Sequence, residues 1–168
     1  AFKIALSGYP GPVHLSVPVD IMFSSFEEDS QRDERPFVRK AESPPKAWPE
    51  PQRLQSILEE FEKSKKPMLI GGHGVWWGNA EKKLEEVGKT LKIPVYNIPY
   101  HQKLLPETSD AYMGLADIHQ YPPSAKALEE SDLVIMLGGR LDNQMNFGNP
   151  PLFPKNSRLI CINGSPEE

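Results

Sequence analysis

The sequence has little cysteine and no long apolar run. Its single cysteine, Cys161, excludes a disulfide within the chain, which fits a reducing compartment and leads us to expect a cytoplasmic protein. No apolar stretch approaches the roughly 18 residues of a membrane-spanning helix. Charged residues make up 25% of the chain and the net charge is −4, so neither nucleic acid nor an anionic membrane is an expected partner. The length of 168 residues suits one domain, or one domain with part of another.

Common signatures of catalysis and metal binding are also missing. No serine lies in a nucleophile-elbow pattern, and no glycine loop continues into the Gly-Lys-Ser/Thr of a P-loop. The histidines have no metal-type spacing with cysteines or carboxylates. They are His14, His73, His101 and His119. Cys161 lies inside a predicted strand, where we expect it to be a small core residue. We therefore assign no catalytic residue and no metal ligand.

The sequence does contain a regular alternation of predicted strands and helices between residues 51 and 163. The predicted strands are Pro67–Gly71, Pro94–Ile98, Tyr112–Gly114, Leu133–Leu137 and Arg158–Ile162. The predicted helices are Gln52–Lys65, a helix capped by Asn79, and Ser124–Glu130. The apolar stripes expected to be buried are Leu54, Ile57, Leu58 and Phe61 on the first helix and Ala80, Leu84, Val87 and Leu91 on the second. The alternation predicts an α/β fold, a Rossmann-like three-layer domain with a parallel sheet and helices on both faces.

The residues before this region form two segments of different character. Residues 1–25 contain the last turns of a helix, Ala1–Leu6, and a predicted strand, Val13–Val17. One helix end and one strand cannot make a core, so we expect residues 1–25 to be the end of a preceding domain. Residues 26–50 are rich in charge and proline and have no apolar period, which predicts an extended linker. The main domain is then expected over residues 51–168.

A first glycine turn follows the strand Pro67–Gly71. It consists of Gly71, Gly72, His73 and Gly74. Its backbone amides could cradle a phosphate beside a helix amino terminus, although it matches neither a complete G-x-G-x-x-G nor a P-loop. The alternative is a tight turn whose glycines let the helix approach the sheet. Trp76 and Trp77 favour the tight turn because two indoles crowd the space of a pyrophosphate, although they could instead stack on a flat ring.

A second glycine turn, Gly138–Asp142, follows the fully apolar strand Leu133–Leu137. Such a strand is typical of one buried on both faces of a parallel sheet, and ligands bind at the carboxyl ends of such strands. The candidate nucleotide-binding residues are Gly139, Arg140 and Asp142. A guanidinium offers a forked donor to phosphate, and a carboxylate accepts from hydroxyls. A salt bridge between Arg140 and Asp142 that ties the loop is an equally good interpretation.

Several stretches resemble thiamine diphosphate-dependent enzymes of the acetolactate synthase and benzaldehyde lyase type, mainly their central domain. Gly8–Asp20, with Tyr9 where arginine is common, resembles the end of their amino-terminal pyrimidine-binding domain. Three further segments resemble motifs of the central domain. They are Gln102–Glu107, where Gln102 and Leu104 replace glycines of Gly-Lys-Gly-x-x-Pro-Glu; Asn146–Phe153; and Leu159–Glu168, where Asn163 and Ser165 replace aspartates.

The resemblance implies a larger enzyme that decarboxylates 2-oxo acids or makes and breaks carbon–carbon bonds of aldehydes and ketones. In this family thiamine diphosphate is anchored by Mg²⁺, and the parent is expected to be a homo-oligomer. The catalytic glutamate belongs to the amino-terminal domain and the Gly-Asp-Gly metal motif to the carboxyl-terminal domain. Neither is present here, so we expect the chain alone to be inactive. A stand-alone nucleotide-binding or scaffolding module without catalysis is the alternative, which the broken first segment disfavours.

The resemblance also raises the question of a flavin. In flavin-binding members the loop that corresponds to Gly138–Asp142 contacts the cofactor, so FAD or an adenine nucleotide is conceivable. An acid at a strand end is the natural partner of a ribose, and Asn163 removes it. Side chains at Gln102 and Leu104 obstruct a close approach that glycines would permit. We therefore expect no tightly bound flavin.

Overall fold

The computed structural model describes residues 1–6, 10–25, 48–99, 103–117, 122–150 and 152–164. They belong to two compact units, residues 1–47 and residues 48–168. The first unit contains two short helices, α1 (Phe2–Ala5) and α2 (Val19–Phe23), and none of its described residues is buried. The predicted strand Val13–Val17 is wrong, because this segment has no strand partner among the described residues. Most of the predicted linker, residues 26–47, lies outside the described residues.

The second unit contains a five-stranded parallel sheet, which confirms the predicted fold class. Its strands are β1 (Pro67–Gly71), β2 (Val95–Asn97), β3 (Tyr112–Leu115), β4 (Leu133–Leu137) and β5 (Arg158–Ile162), in the order β3-β2-β1-β4-β5. β1 and β4 pair along their whole length, from Pro67 opposite Leu133 to Gly71 opposite Leu137. Because both strands end at the same level, the two glycine turns begin side by side.

Helices precede and connect these strands. They are α3 (Pro51–Lys63), α4 (His73–Trp77), α5 (Glu81–Leu91), α6 (Pro122–Glu130) and a 3-10 segment, Asn143–Gly148. The short α4 was not predicted, since five residues that include a glycine and two tryptophans have little intrinsic helix preference. The predicted cap Asn79 is also wrong: α5 begins after Ala80, and Asn79 has a left-handed backbone with φ of 50°.

The sheet is covered on both faces by two separate apolar cores. Alternate strand residues face one core, which α3, α4 and α5 complete. Its members include Leu69, Val95, Leu133, Ile135, Val75 and Leu84, with Ile57 and Phe61 packed against them. The remaining strand residues face the core completed by α6 and the 3-10 segment. Its members include Met68, Ile70, Val134, Met136, Leu128 and Met145. The prediction of helices on both faces is therefore confirmed.

The predicted helix stripes are buried only in part. Four of their members are exposed: Leu54, Leu58, Val87 and Leu91. Each helix therefore contacts the sheet along a narrower side than the apolar pattern indicates. The prediction for Cys161 is wrong, because its side chain is exposed. Among the described residues β5 pairs with β4 alone, so its side chains have strand neighbours on one side only. Within the described part of the chain, none of the helices has the length and apolar character of a bilayer span.

Candidate functional site

The two glycine turns meet at the carboxyl edge of the sheet and are joined by their own backbones. Gly72 N donates to Leu137 O at 2.8 Å, and Gly74 N donates to Gly138 O at 2.8 Å. Gly138 N in turn donates to Ile162 O at 2.8 Å. These three hydrogen bonds continue the sheet beyond the ends of β1, β4 and β5.

Glycine is required at three of these positions because backbone lies against backbone. A β-carbon on Gly72 would lie 2.5 Å from Gly138 O and 2.6 Å from Gly139 Cα. A β-carbon on Gly74 would lie 2.6 Å from Gly138 Cα. Gly138 also has φ of +61°, a left-handed conformation that side chains disfavour. Gly72, Gly74 and Gly138 are thus explained by the contact between the turns.

This geometry leaves little of the predicted phosphate cradle. A cradle needs backbone amides that point at the anion, and the amides of Gly72 and Gly74 are already used by Leu137 and Gly138. Leu104 fills the space on the other side of Gly71, where a β-carbon on Gly71 would meet its side chain. Leu104 itself is buried. The arrangement favours the tight-turn interpretation of the first glycine turn.

His73 begins an aromatic cluster on α4. The sequence places Trp76 and Trp77 near the turn but does not predict their ring contacts with His73. The ring centroids of His73 and Trp77 lie 6.3 Å apart with an interplanar angle of 25°, and those of Trp76 and Trp77 lie 4.9 Å apart at 65°. Trp76 is 38% exposed and Trp77 is 42% exposed. The cluster therefore packs against itself and leaves part of both indoles in contact with solvent at the carboxyl edge.

Asp142 caps the following 3-10 segment, a role that neither sequence interpretation included. Its carboxylate accepts from Gln144 N at 2.9 Å and from Met145 N at 3.4 Å. Aspartate is a preferred residue at such a cap, and this preference is the signal that could have identified the role. Arg140 is exposed on the same turn, and Gly139 is buried. Asn163, at the end of β5, donates from Nδ2 to Gly139 O at 3.0 Å.

A left-handed stretch follows the cap. Asn146, Phe147 and Gly148 have φ of 47°, 51° and 72°. Asn146 Nδ2 donates to Asn149 O and Pro150 O, both at 3.1 Å, and Asn149 Nδ2 donates to Asn146 O at 3.1 Å. Two consecutive left-handed residues other than glycine are costly, and the two asparagine amides hold them. The side chain of Phe147 is 64% exposed.

Metal-binding side chains are not clustered in the described part of the chain. No group of three or more histidine, cysteine, aspartate or glutamate side chains there could hold a metal ion. Three surface acids have a lowered pKa because each accepts a hydrogen bond from a lysine. They are Glu85 with Lys89, Glu107 with Lys103 and Glu130 with Lys66. Such surface pairs are ordinary solvated contacts, and they offer no acid–base machinery. The described residues therefore offer no cluster of such side chains for Mg²⁺.

Comparison with known proteins identifies the family. Residues 54–168 match the family model for the thiamine pyrophosphate enzyme, central domain. The chain is 29% identical over 171 residues to the acetolactate synthase large subunit of Cyanidium caldarium, covering 100% of this chain and 28% of that protein. It is 28% identical over 167 residues to 2-hydroxyacyl-CoA lyase 1 of Dictyostelium discoideum, covering 96% and 27%. The chain thus spans under a third of the length of these relatives.

Solved structures show the same fold. Benzoylformate decarboxylase from Polynucleobacter necessarius superimposes with a TM-score of 0.72 at 21% identity, over 99% of this chain and 30% of that one. The thiamine diphosphate-dependent 4-hydroxybenzoylformate decarboxylase of Rhodococcus jostii gives a TM-score of 0.71 at 22% identity, over 98% and 30%. Fold, family match and relatives agree, and the chain belongs to the family of thiamine pyrophosphate enzymes, of which it contains the central domain.

Proposed function

We propose that this chain is the central part of a thiamine diphosphate-dependent enzyme that acts on a carbon–carbon bond next to a carbonyl group. The substrates would be 2-oxo acids, aldehydes or ketones, with decarboxylation, carboligation or lyase cleavage as the reaction. The observation that carries the proposal is the family match over residues 54–168. Relatives that align along nearly the whole chain, an acetolactate synthase subunit and a 2-hydroxyacyl-CoA lyase, support this class of chemistry.

The role we propose for the chain itself is structural. Thiamine diphosphate, when bound, supplies the stabilised carbanion that such chemistry needs, and Mg²⁺ holds its diphosphate. The described residues offer no cluster for that metal, so cofactor and metal would bind elsewhere in the parent enzyme. A sheet buried on both faces by two apolar cores is a stiff element on which the catalytic parts can be placed.

We also propose that residues 1–25 belong to a separate, preceding domain of the parent. Of the large apolar side chains described in this unit, Leu6 is partly buried and the others are exposed, among them Phe2 at 82% and Phe23 at 81%. Apolar surface of this extent is normally covered in the functional protein. A cytoplasmic location and a homo-oligomeric parent are further parts of the proposal, supported by the family alone.

The carboxyl edge is proposed to bind no flavin tightly. The amides of Gly72, Gly74 and Gly138 already donate to backbone carbonyls. At the same edge the side chain of Arg140 and the indoles of Trp76 and Trp77 are exposed to solvent. They could stack on a ring and pair with one phosphate, but they do not form the amide cradle that a diphosphate prefers.

The test is an assay of the full-length protein that contains this segment. Carbon dioxide release from pyruvate and from larger or aromatic 2-oxo acids is measured with thiamine diphosphate and Mg²⁺, and again after each is removed. We expect turnover of at least one 2-oxo acid, or lyase cleavage of a 2-hydroxyacyl thioester, only when both are present. Turnover that persists after both are removed by gel filtration and chelation would contradict the proposal.

A further inference from the structure

We infer that Asn163 acts as a latch that keeps the two glycine turns closed against each other, so that the carboxyl edge of the sheet cannot open into a nucleotide cradle. The inference deepens the proposed function at this edge and rests on it for its relevance to a cofactor. The latch itself involves only the hydrogen bonds of the two turns.

The latch rests on a side-chain contact between sequence-distant elements. Asn163 lies directly after β5, and its Nδ2 donates to Gly139 O across the second glycine turn at 3.0 Å. A carbonyl oxygen can only accept, so the group that faces it must be a donor. Aspartate has nearly the same shape but no donor at neutral pH. Asn163 therefore makes a hydrogen bond that an ionised aspartate at this position could not make.

The contact matters because Gly139 lies next to the residue on which the turns close. Gly138 N donates to Ile162 O, and Gly138 O accepts from Gly74 N. Asn163 thus fixes the peptide that follows Gly139, while Ile162, its neighbour in the chain, fixes the amide of Gly138 itself. Release of Gly139 O would free the second turn to rotate away from Gly74, and the amides of Gly74 and Gly138 would become available.

The chain offers a clean substitution and a matched control. Asn163→Asp replaces the donor by a carboxylate that faces a carbonyl oxygen, which removes one hydrogen bond and adds repulsion. Asn79→Asp makes the same change of charge at an exposed position before the amino end of α5, where an acid is tolerated or favourable. A difference between the two variants therefore reports the latch and not the added charge.

Amide hydrogen exchange of the 168-residue chain, followed by NMR, tests the inference. In the wild type and in Asn79→Asp the amides of Gly74 and Gly138 are expected to be protected, and FAD or ADP is expected to shift no turn resonance. In Asn163→Asp we expect exchange at both amides to accelerate roughly tenfold or more, the effect of one lost hydrogen bond with an unpaired acceptor. Amides in β1 and β4 serve as internal references, since global destabilisation would accelerate them as well.

Two results would overturn the inference. One is exchange at Gly74 and Gly138 in Asn163→Asp that matches Asn79→Asp. The other is wild-type chain in which FAD or ADP titrates the amides of both turns, because the edge would then be open despite Asn163. Neither result depends on turnover, so failure of the latch is distinguishable from failure of the proposed activity.

Discussion

A series of alanine substitutions at glycine tests whether the two turns are held together by backbone contact. Gly164→Ala is the control, because a β-carbon there would meet no heavy atom within 4 Å. Gly72→Ala adds a steric conflict alone, since Gly72 has φ of −120° and its β-carbon would lie 2.5 Å from Gly138 O. Gly138→Ala adds a conflict with the backbone of Gly74 and a left-handed alanine at φ of +61°.

The expected magnitudes rise through this series. Overpacking of a tight contact costs about 1–3 kcal/mol of unfolding free energy, and a left-handed residue with a side chain costs a further ~1–2 kcal/mol. We therefore expect Gly164→Ala to be within ~0.5 kcal/mol of the wild type. Gly72→Ala should lose about 1–3 kcal/mol and Gly138→Ala about 2–5 kcal/mol. In a domain of this size each kilocalorie lowers Tm by roughly 2–4 °C.

Urea unfolding followed by far-ultraviolet circular dichroism measures these differences. The fluorescence of Trp76 and Trp77, which lie on α4 directly after the first glycine turn, reports the turn region separately when the third tryptophan, the exposed Trp48, is replaced by phenylalanine in every variant. We expect the urea concentration at the midpoint of unfolding to fall in the order Gly164→Ala, Gly72→Ala, Gly138→Ala. If Gly138→Ala unfolded at the same urea concentration as Gly164→Ala, the turns would not be in backbone contact, and the reasoning about the closed edge would be refuted.

Two further predictions concern other parts of the second unit. The carboxylate of Asp132 accepts from the Ser64 hydroxyl and from Lys65 N at 2.8 Å and Lys66 N at 3.0 Å, and the Ser64 bond first, then the amides, hold its pKa below the usual value against partial burial. A carboxyl group whose pKa is lower in the folded state than in the unfolded state stabilises the protein at pH values above the unfolded-state pKa. This stabilisation is lost as the pH falls through the folded-state pKa. Asp132→Asn should therefore lose about 1–3 kcal/mol at pH 7 in urea unfolding and progressively less below about pH 4, whereas the exposed Asp110→Asn should stay near the wild type. Cys161 is exposed but partly desolvated, which raises the pKa of its thiol. Ellman's reagent should modify one thiol per folded chain, and the reaction rate should keep rising at pH values above the pKa of a free cysteine thiol. A thiol that reacts only in denaturant would show that Cys161 is a core residue after all.

Much of the sheet could be predicted from the sequence because local pattern and tertiary environment agree there. β4 and β5 have the predicted bounds, since each is an apolar run stopped by a polar residue or glycine. Val13–Val17 failed because a strand exists only through pairing, and its alternating pattern does not reveal whether a partner is present. The predicted burial of Leu54 and Leu58 is wrong, because the apolar stripe of a helix does not show how much of the helix surface the sheet will cover.

The candidate site was harder to predict because the strand order decides which residues of the two glycine turns are in contact. The glycines of both turns were visible, but only the pairing of β1 with β4 places Gly74 against Gly138. The alternation of strands and helices does not determine which strands become neighbours. Asn163 stands where the family usually has an acid, yet its contact is with Gly139, a partner 24 residues away in the second glycine turn. Asp142 carried a local signal, since an aspartate before a helical turn is a common cap.

We propose that this chain, the central domain of a thiamine diphosphate-dependent enzyme, does not itself hold the cofactor. Calorimetric titration with thiamine diphosphate and Mg²⁺, performed in parallel on the 168-residue chain and on the full-length protein that contains it, tests the claim directly. The account predicts saturable binding by the full-length protein and only heat of dilution for the chain. Saturable micromolar binding by the chain alone, or none by the full-length protein, would contradict it.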